Sequence, residues 1–511
     1  MKRRKALKWS LIGGGIGLGA LVLGGGGTVA YLYSQAKINT VGQVDFDNAL
    51  AVPPLAESAI DGNGARVFRL EVQAGERQFK DGPATPTWGV NGAYLGPTLR
   101  ASRGEEVAVA VHNGIDETTS LHWHGMHLPA AQDGGPHQAV EPDGDWTPQW
   151  TINQPAATLW YHPHPHGQTG KHVYRGVAGM FILDDDQADE LNLPAEYGVD
   201  DLPMIVQDRR FHDDNTLDED ASFISSIGIL GDEILVNGTM GPYREVTTRL
   251  VRLRLLNASN ARVFNFGFSD DRGFDMIASD GGLLAAPFRT DRIQLSPGER
   301  AEIVVAFAPG ETVDLRSYPN SPGLGADAPQ LRFNGGEDSL DVCRFTAAAE
   351  LTDETEVPDT LGEAPDLDLD DVAAERSFEL LGFEINGESM DMNRIDFGVR
   401  VDTTEVWEVV NVDGDTHNFH VHDVQFQVLD IDGQAPPEYL SGWKDTVQLA
   451  TSKRYRLAMR FSEYTDPNVP YMYHCHILFH EDSGLMGQFV VLGEDEAIGR
   501  VPESTGAHDH P

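Results

Sequence analysis

Eight of the 18 histidines in this 511-residue chain stand in four His-x-His pairs: His122 and His124, His162 and His164, His420 and His422, His474 and His476. In an extended strand, residues i and i+2 project from the same face, so each pair aims two imidazoles in one direction. Imidazole ligates copper, zinc, iron and nickel, and a single such pair would read as no more than a polar strand face. Four pairs, two towards each end of the chain, converge on one metal-rich site if the terminal parts of the fold pack together.

Cys475 sits between His474 and His476, and strand alternation turns its thiol away from both flanking rings. The sulfur thus serves one metal site while its neighbours serve another, with the backbone joining the two. His480, five residues after the cysteine, and His417, three before His420, complete with Cys475 the His₂Cys set of a blue-copper electron-transfer centre. A cysteine committed as a thiolate ligand cannot form a disulfide with the other cysteine, Cys343. That residue, in Asp-Val-Cys-Arg-Phe, reads as a buried small hydrophobe.

Positioning these side chains requires strands, and residues 106–113, 251–257 and 406–411 carry the period-two alternation that marks them. Each segment ends in an asparagine: Asn113, Asn257 and Asn411. Nine and eleven residues after Asn113 stand His122 and His124, and the same offsets from Asn411 reach His420 and His422. From Asn257 they reach Phe266 and Phe268. The pattern predicts an all-β chain of three copies of one β-sandwich, the middle copy carrying aromatics where the outer two carry imidazoles. Short apolar runs between 54 glycines and 29 prolines also favour strands over long helices. Acidic connectors at 184–201 and 347–375 separate domains expected at 60–184, 202–346 and 376–494, with a polar stretch at 37–60 and a disordered tail at 495–511.

His-Trp-His-Gly at 122–125, Trp-Tyr-His-Pro-His at 160–164, His-x-x-His-x-His at 417–422 and His-Cys-His-x-x-x-His at 474–480 together resemble, in order and spacing, the four ligand motifs of multicopper oxidases. The likeness spans residues 60–493 and is strongest towards bacterial three-domain laccases and cuprous oxidases. Gly442-Trp443-Lys444-Asp445-Thr446-Val447 and Glu481-Asp482-Ser483-Gly484 share in it. The resemblance implies three cupredoxin-like Greek-key domains and four copper ions: one type 1, one type 2 and two type 3. It implies type 2 copper on His122 and His420. One type 3 copper would lie on His124, His162 and His476, and the other on His164, His422 and His474. Type 1 copper would lie in the third domain on His417, Cys475 and His480. In such enzymes a small reducing substrate gives single electrons at type 1, and dioxygen is reduced to two waters at the remaining three ions. Asp133 and Glu481 match acids that serve the cluster in this family, and proton delivery suits a buried carboxylate beside metal.

The chain also departs from its relatives. Ten residues after Cys475, where the family places its axial type 1 residue, stands Leu485, with Met486 one step on. Adjacent residues rarely offer the same face, so Leu485 is expected as a non-coordinating axial neighbour, favouring Cu(I) and a higher reduction potential. The 347–375 connector has no methionine, Asp413-Gly414-Asp415 precedes His417, and Met390 and Met392 are the only nearby thioethers. A laccase-like oxidase of phenols or aromatic amines is therefore expected ahead of a cuprous or metal-ion oxidase in copper tolerance. Asp413 could accept a hydrogen bond from a phenol or bind Cu(I). The competing reading of another class is a copper-free cell-envelope assembly protein of the same fold, against which stands a ligand residue at every motif position. His112, His127, His137, His166, His172 and His212 read as ordinary hydrogen-bonded histidines, and His508 and His510 as part of a solvated tail.

A formal net charge of −43 excludes nucleic acid as a partner, since phosphate binding needs a basic surface. The scarcity of lysine and abundance of aspartate suggest an acidic surface suited to high salt. Lys2-Arg3-Arg4-Lys5 precedes an apolar, glycine-rich run over 11–33, and residues 3–8 are close to a twin-arginine export signal. The segment 1–40 is expected to be a signal cleaved near Ser34-Gln35-Ala36 or an uncleaved membrane anchor. In either case the chain is exported to the cell envelope or beyond.

Overall fold

The computed structural model describes residues 32–221, 225–324, 326–327, 329–352 and 355–502. The apolar run of the expected signal or anchor, and the tail with His508 and His510, lie mostly or wholly outside the described residues. Among the described residues no helix is long and apolar enough to cross a membrane.

Among the described residues, six sheets pair into three sandwiches, as the asparagine count predicts. The first stacks the sheet of Arg66–Arg77 and Glu106–Gly114 on that of His122–His124, Ala157–His162 and Gly179–Asp184. The second stacks the sheet of Leu250–Asn257 on that of Phe264–Phe268, and the third the sheet of Thr403–Asn411 on that of His417–Val421 and Tyr471–His474. Each has its own apolar core, around Trp123 and Phe181, around Phe266 and Ile303, and around Trp407 and Phe489. Burial of each such side chain contributes roughly 1.5–3 kcal/mol.

The repeat extends to topology. Glu106–Gly114, Leu250–Asn257 and Thr403–Asn411 each run parallel to the first long strand of their own sandwich. The three asparagines that end the alternating runs are fully buried and make the same turn. The side-chain oxygen of each accepts from the backbone N–H two residues on, at Ile115, Ser259 and Asp413. Each side-chain NH₂ donates across the turn, to the carbonyls of Glu117, Arg262 and Asp415. An Asx turn of this kind satisfies backbone groups that would otherwise be stranded where the chain crosses between sheets. It leads into the next strand, His122–His124, Phe264–Phe268 or His417–Val421, and in each the residue nine after the asparagine, His122, Phe266 or His420, lies on that strand.

Two boundaries differ from the composition. The stretch 37–60, read as polar, is divided between two sandwiches: Asn48–Ala49 pairs with Pro242–Thr248 of the middle one, with Phe46 and Leu50 buried, and Ser58–Ile60 pairs with Arg66–Arg77 of the first. Strand Leu340–Thr352 runs into the region read as connector, because Val246 and Thr248 pair with Ala347 and Thr352.

Candidate metal centres

His122 lies opposite His162 across two paired strands of the first sandwich, and His420 opposite His474 in the third. Pro163 has no N–H for a ladder, so its strand stops at His162 and His164 stands just beyond it. His476 likewise follows the end of strand Tyr471–His474, so strand alternation alone does not place these two rings. The two sandwiches meet ring on ring: His122 stacks on His422 at 3.9 Å and His124 on His420 at 3.8 Å. One ring nitrogen from each of His122, His124 and His162, of His122, His420 and His422, and of His164, His422 and His474 falls within 4.8 Å of the others in its group. His476 joins them with its Nε2 at 3.4 Å from that of His162.

All eight rings are buried, and Nε2 of His122 and of His420 has no hydrogen-bond partner. Each such orphan costs about 1–3 kcal/mol unless something ligates it. Burial, and then the neighbouring imidazoles, hold His420 and His422 well below the usual histidine range. The same causes act on His162 and His164, and His474 and His124 are depressed as strongly, again mainly by burial. These rings are neutral, with lone pairs free, which is the state a metal cation requires.

A second set lies on the far side of Cys475. The ligand atoms of His417, Cys475 and His480 fall within 4.8 Å of one another, with Sγ 3.7 Å from His480 Nδ1 and His417 Nδ1 buried without a partner. Burial alone would raise the thiol, but His417 and His480 outweigh it and bring Cys475 down to about 6. The thiolate and two imidazoles suit a soft transition metal. Cys343 is buried and burial pushes its thiol far up, as expected of an inert residue.

Three family models, each described as multicopper oxidase, match residues 71–188, 211–314 and 361–495. The multicopper oxidase mco of Staphylococcus epidermidis is 36% identical over 455 residues, 87% of this chain and 92% of that protein. The chain belongs to the multicopper oxidase family. A solved CueO, a laccase-like multicopper oxidase from Ochrobactrum sp., superposes with a TM-score of 0.78 at 37% identity, covering 87% of this chain and all of that one. Cell division protein FtsP of Salmonella typhimurium is also similar, 35% identical over 89% of this chain and 94% of its own length. The cupredoxin-like, Greek-key reading of the sandwiches follows from this membership.

The two acids singled out in this multicopper oxidase are both buried at the histidine cluster. Asp133 Oδ2 accepts from His422 Nδ1 at 2.7 Å, and its backbone carbonyl from His122 Nδ1 at 2.9 Å. Glu481 lies 3.5 Å from His164 Nδ1 and 3.3 Å from His474 Nδ1, and neither oxygen has a hydrogen bond. Burial, with the charge of Asp482 beside it, holds the Glu481 carboxyl well above the usual carboxylate range.

Leu485 shares the apolar core of Cys475, and its carbonyl accepts the Cys475 N–H at 3.1 Å. Met486 stands opposite His474 in the ladder and therefore on the cluster face of the strand. Of the remaining histidines, His172 bonds Thr119 and His127 bonds Asp423, as ordinary residues do.

Sequence reasoning missed three groups. Asp445 accepts from His124 Nε2 at 3.0 Å, Asn418 accepts from His476 N at 2.6 Å, and the Ser226 carbonyl accepts from His480 Nε2 at 3.2 Å. Only the Trp443-Lys444-Asp445-Thr446 likeness to relatives carried a signal for any of them.

Proposed function

We propose that this chain couples four one-electron oxidations of a small phenol or aromatic amine at a type 1 copper to the reduction of dioxygen to two waters at a trinuclear copper cluster. The supporting observation is the pair of buried donor sets, eight imidazoles on one side of Cys475 and His417, Cys475 and His480 on the other. His122 and His420, whose inward nitrogens are orphaned, would hold type 2 copper. His124, His162 and His476 would hold one type 3 copper, and His164, His422 and His474 the other. Leu485, which has no donor atom, would fill the axial position beside the type 1 set.

The chain's own groups then divide the work. Cys475 and its two peptide bonds are the covalent connection between the sets. Asp133 holds a proton-accepting oxygen against His422, and Glu481 keeps a proton between His164 and His474, so each can pass one inward.

Aromatic substrates are favoured by the surface over the type 1 set. Leu381, Val412 and Phe479 are among the few exposed large apolar side chains, at 56%, 42% and 37%. Phe383 packs 5.6 Å from the His480 ring. Asp413, bonded to His417 Nε2 at 3.1 Å, is the acceptor at this rim. The likeness to FtsP supports a second reading, a copper-free protein of cell-envelope assembly. The twin-arginine-like start supports export, with the segment either cleaved or kept as an anchor.

Oxygen uptake by the copper-loaded protein decides between the readings. Turnover faster on a methoxyphenol or aromatic diamine than on Cu(I) is the expected result, and the reverse order would make it a metal-ion oxidase. Absence of bound copper and of a visible absorption band would leave the assembly reading.

A further inference from the structure

The middle sandwich supplies no imidazole, yet it forms a wall of the cluster. The turn before strand Arg300–Ala306 packs directly on two candidate ligands: a Cβ added at Gly298, whose φ is +87°, would lie 3.1 Å from the His476 ring and 3.2 Å from His124 Cε1. Ser296 Oγ and the Pro297 carbonyl in the same turn both accept from Asn418, which bonds His476 N.

Arg300 follows this turn, is fully buried, and spends all five guanidinium donors. Nε donates to the Thr158 carbonyl of the first sandwich at 3.0 Å. Nη1 and Nη2 each donate once within the middle sandwich, to the carbonyls of Gly298 and Asp280 at 3.0 Å. The same two nitrogens grip both oxygens of Asp445 in the third sandwich, at 2.7 and 2.6 Å. Such a two-pronged pair fixes a carboxylate in orientation as well as in charge.

Asp445 passes that orientation on. Its Oδ1 accepts from His124 Nε2 at 3.0 Å, and its carbonyl accepts from His420 Nδ1 at 2.8 Å. His124 therefore turns Nδ1 inward, 3.4 Å from His162 Nε2, whereas His420 turns Nε2 inward. Asp445 could itself ligate a metal with His124 and His420, but Arg300 occupies both its oxygens. Gly125, directly after His124, has φ +86°, and a Cβ there would lie 2.6 Å from Asp445 Oδ2 and 2.7 Å from Arg300 Nη2. The glycine leaves room for the pair.

We infer that Arg300, from the sandwich without ligands, is a positioning residue for the cluster: through Asp445 it fixes the Nε2–H form of His124 and so presents Nδ1 to the type 3 copper. This rests on the copper reading above, but its test does not depend on it alone. In the metal-free full-length chain with ¹⁵N-labelled histidine, His124 should show its proton on Nε2, and Arg300→Met should abolish that preference. In the copper-loaded protein, Arg300→Met should uncouple the type 3 pair, raising the amount of copper visible by electron paramagnetic resonance. It should lower kcat about 10–100-fold while reduction of type 1 copper by substrate stays at the parental rate.

Arg254→Met is the control, since Arg254 is equally buried in the same sheet and bonds Asp201 and Glu302. It should lower Tm without changing the His124 tautomer or the coupled pair. Should Arg300→Met fail to fold, Asp445→Asn, which keeps the size and loses the anion, should give the same two signatures. An Arg300→Met protein with the parental His124 spectrum and a silent type 3 pair would overturn the inference. A parental protein that takes up no copper would overturn the functional reading instead, leaving the nitrogen spectrum to decide on Arg300.

Discussion

Leu485 packs beside Cys475 without a donor atom. Leu485→Met should therefore add a thioether and lower the type 1 reduction potential, measured by redox titration of the visible band. Cys475→Ser should abolish that band and leave one copper fewer per chain by metal analysis, while the eight cluster imidazoles keep their ions. Glu481→Gln or Asp133→Asn should retain copper and lose about 10²-fold in turnover, because a neutral amide cannot pass a proton. Full turnover in either variant would remove its relay role. The ligand residues were legible because their chemistry imposes short spacings that can be counted. Asp445, Arg300 and Ser226 were not, because Asp445 meets His124, Arg300 meets Asp445 and Ser226 meets His480 across more than a hundred residues of sequence, through contacts only the packed sandwiches create.

At the level of strands and turns, the repeated asparagine is as much a device of the fold as the histidines are of the site. Asn257→Ala would strand the carbonyls of Arg262 and Leu295 and the N–H of Ser259 in the middle core. The expected cost is about 1–3 kcal/mol for each group left unpaired, read as a fall in denaturation midpoint that added copper does not restore. Asn411→Ala should destabilise as well, and should also weaken copper binding, because its turn leads into His417 and bonds Asp415. Period-two alternation and the fixed offsets made the three sandwiches readable in advance. The pairing of 37–60 escaped notice because its strands, Asn48–Ala49 and Ser58–Ile60, are too short to display a period-two pattern. Their partners, Pro242–Thr248 and Arg66–Arg77, lie in different sandwiches, the former far along the chain.

Across the whole molecule, buried ion pairs tie the middle sandwich to the third, Arg300 to Asp445 and Lys444 to Asp280, and others inside the middle sandwich set its acid limit. Burial alone would raise Glu302, but Arg252 and Arg254 outweigh it and pull the carboxyl from 4.5 to about 2. A depressed carboxyl stabilises the fold fully above its unfolded value and loses that contribution as pH falls through the folded one. Acid unfolding should therefore steepen between pH 4.5 and about 2, and Glu302→Gln should flatten it. The net charge of −43 should make Tm rise with added salt as surface repulsion is screened, and a fall would refute the high-salt reading. The order of the ligands along the chain has a further effect, on timing. Half of the cluster's imidazoles are encoded before the middle sandwich and half after it, so a growing polypeptide passes through a long stage with His122, His124, His162 and His164 and nothing to oppose them. Metal met at that stage finds an open half-site, and the enclosed set of eight arises only once the last sandwich has been synthesised and has docked.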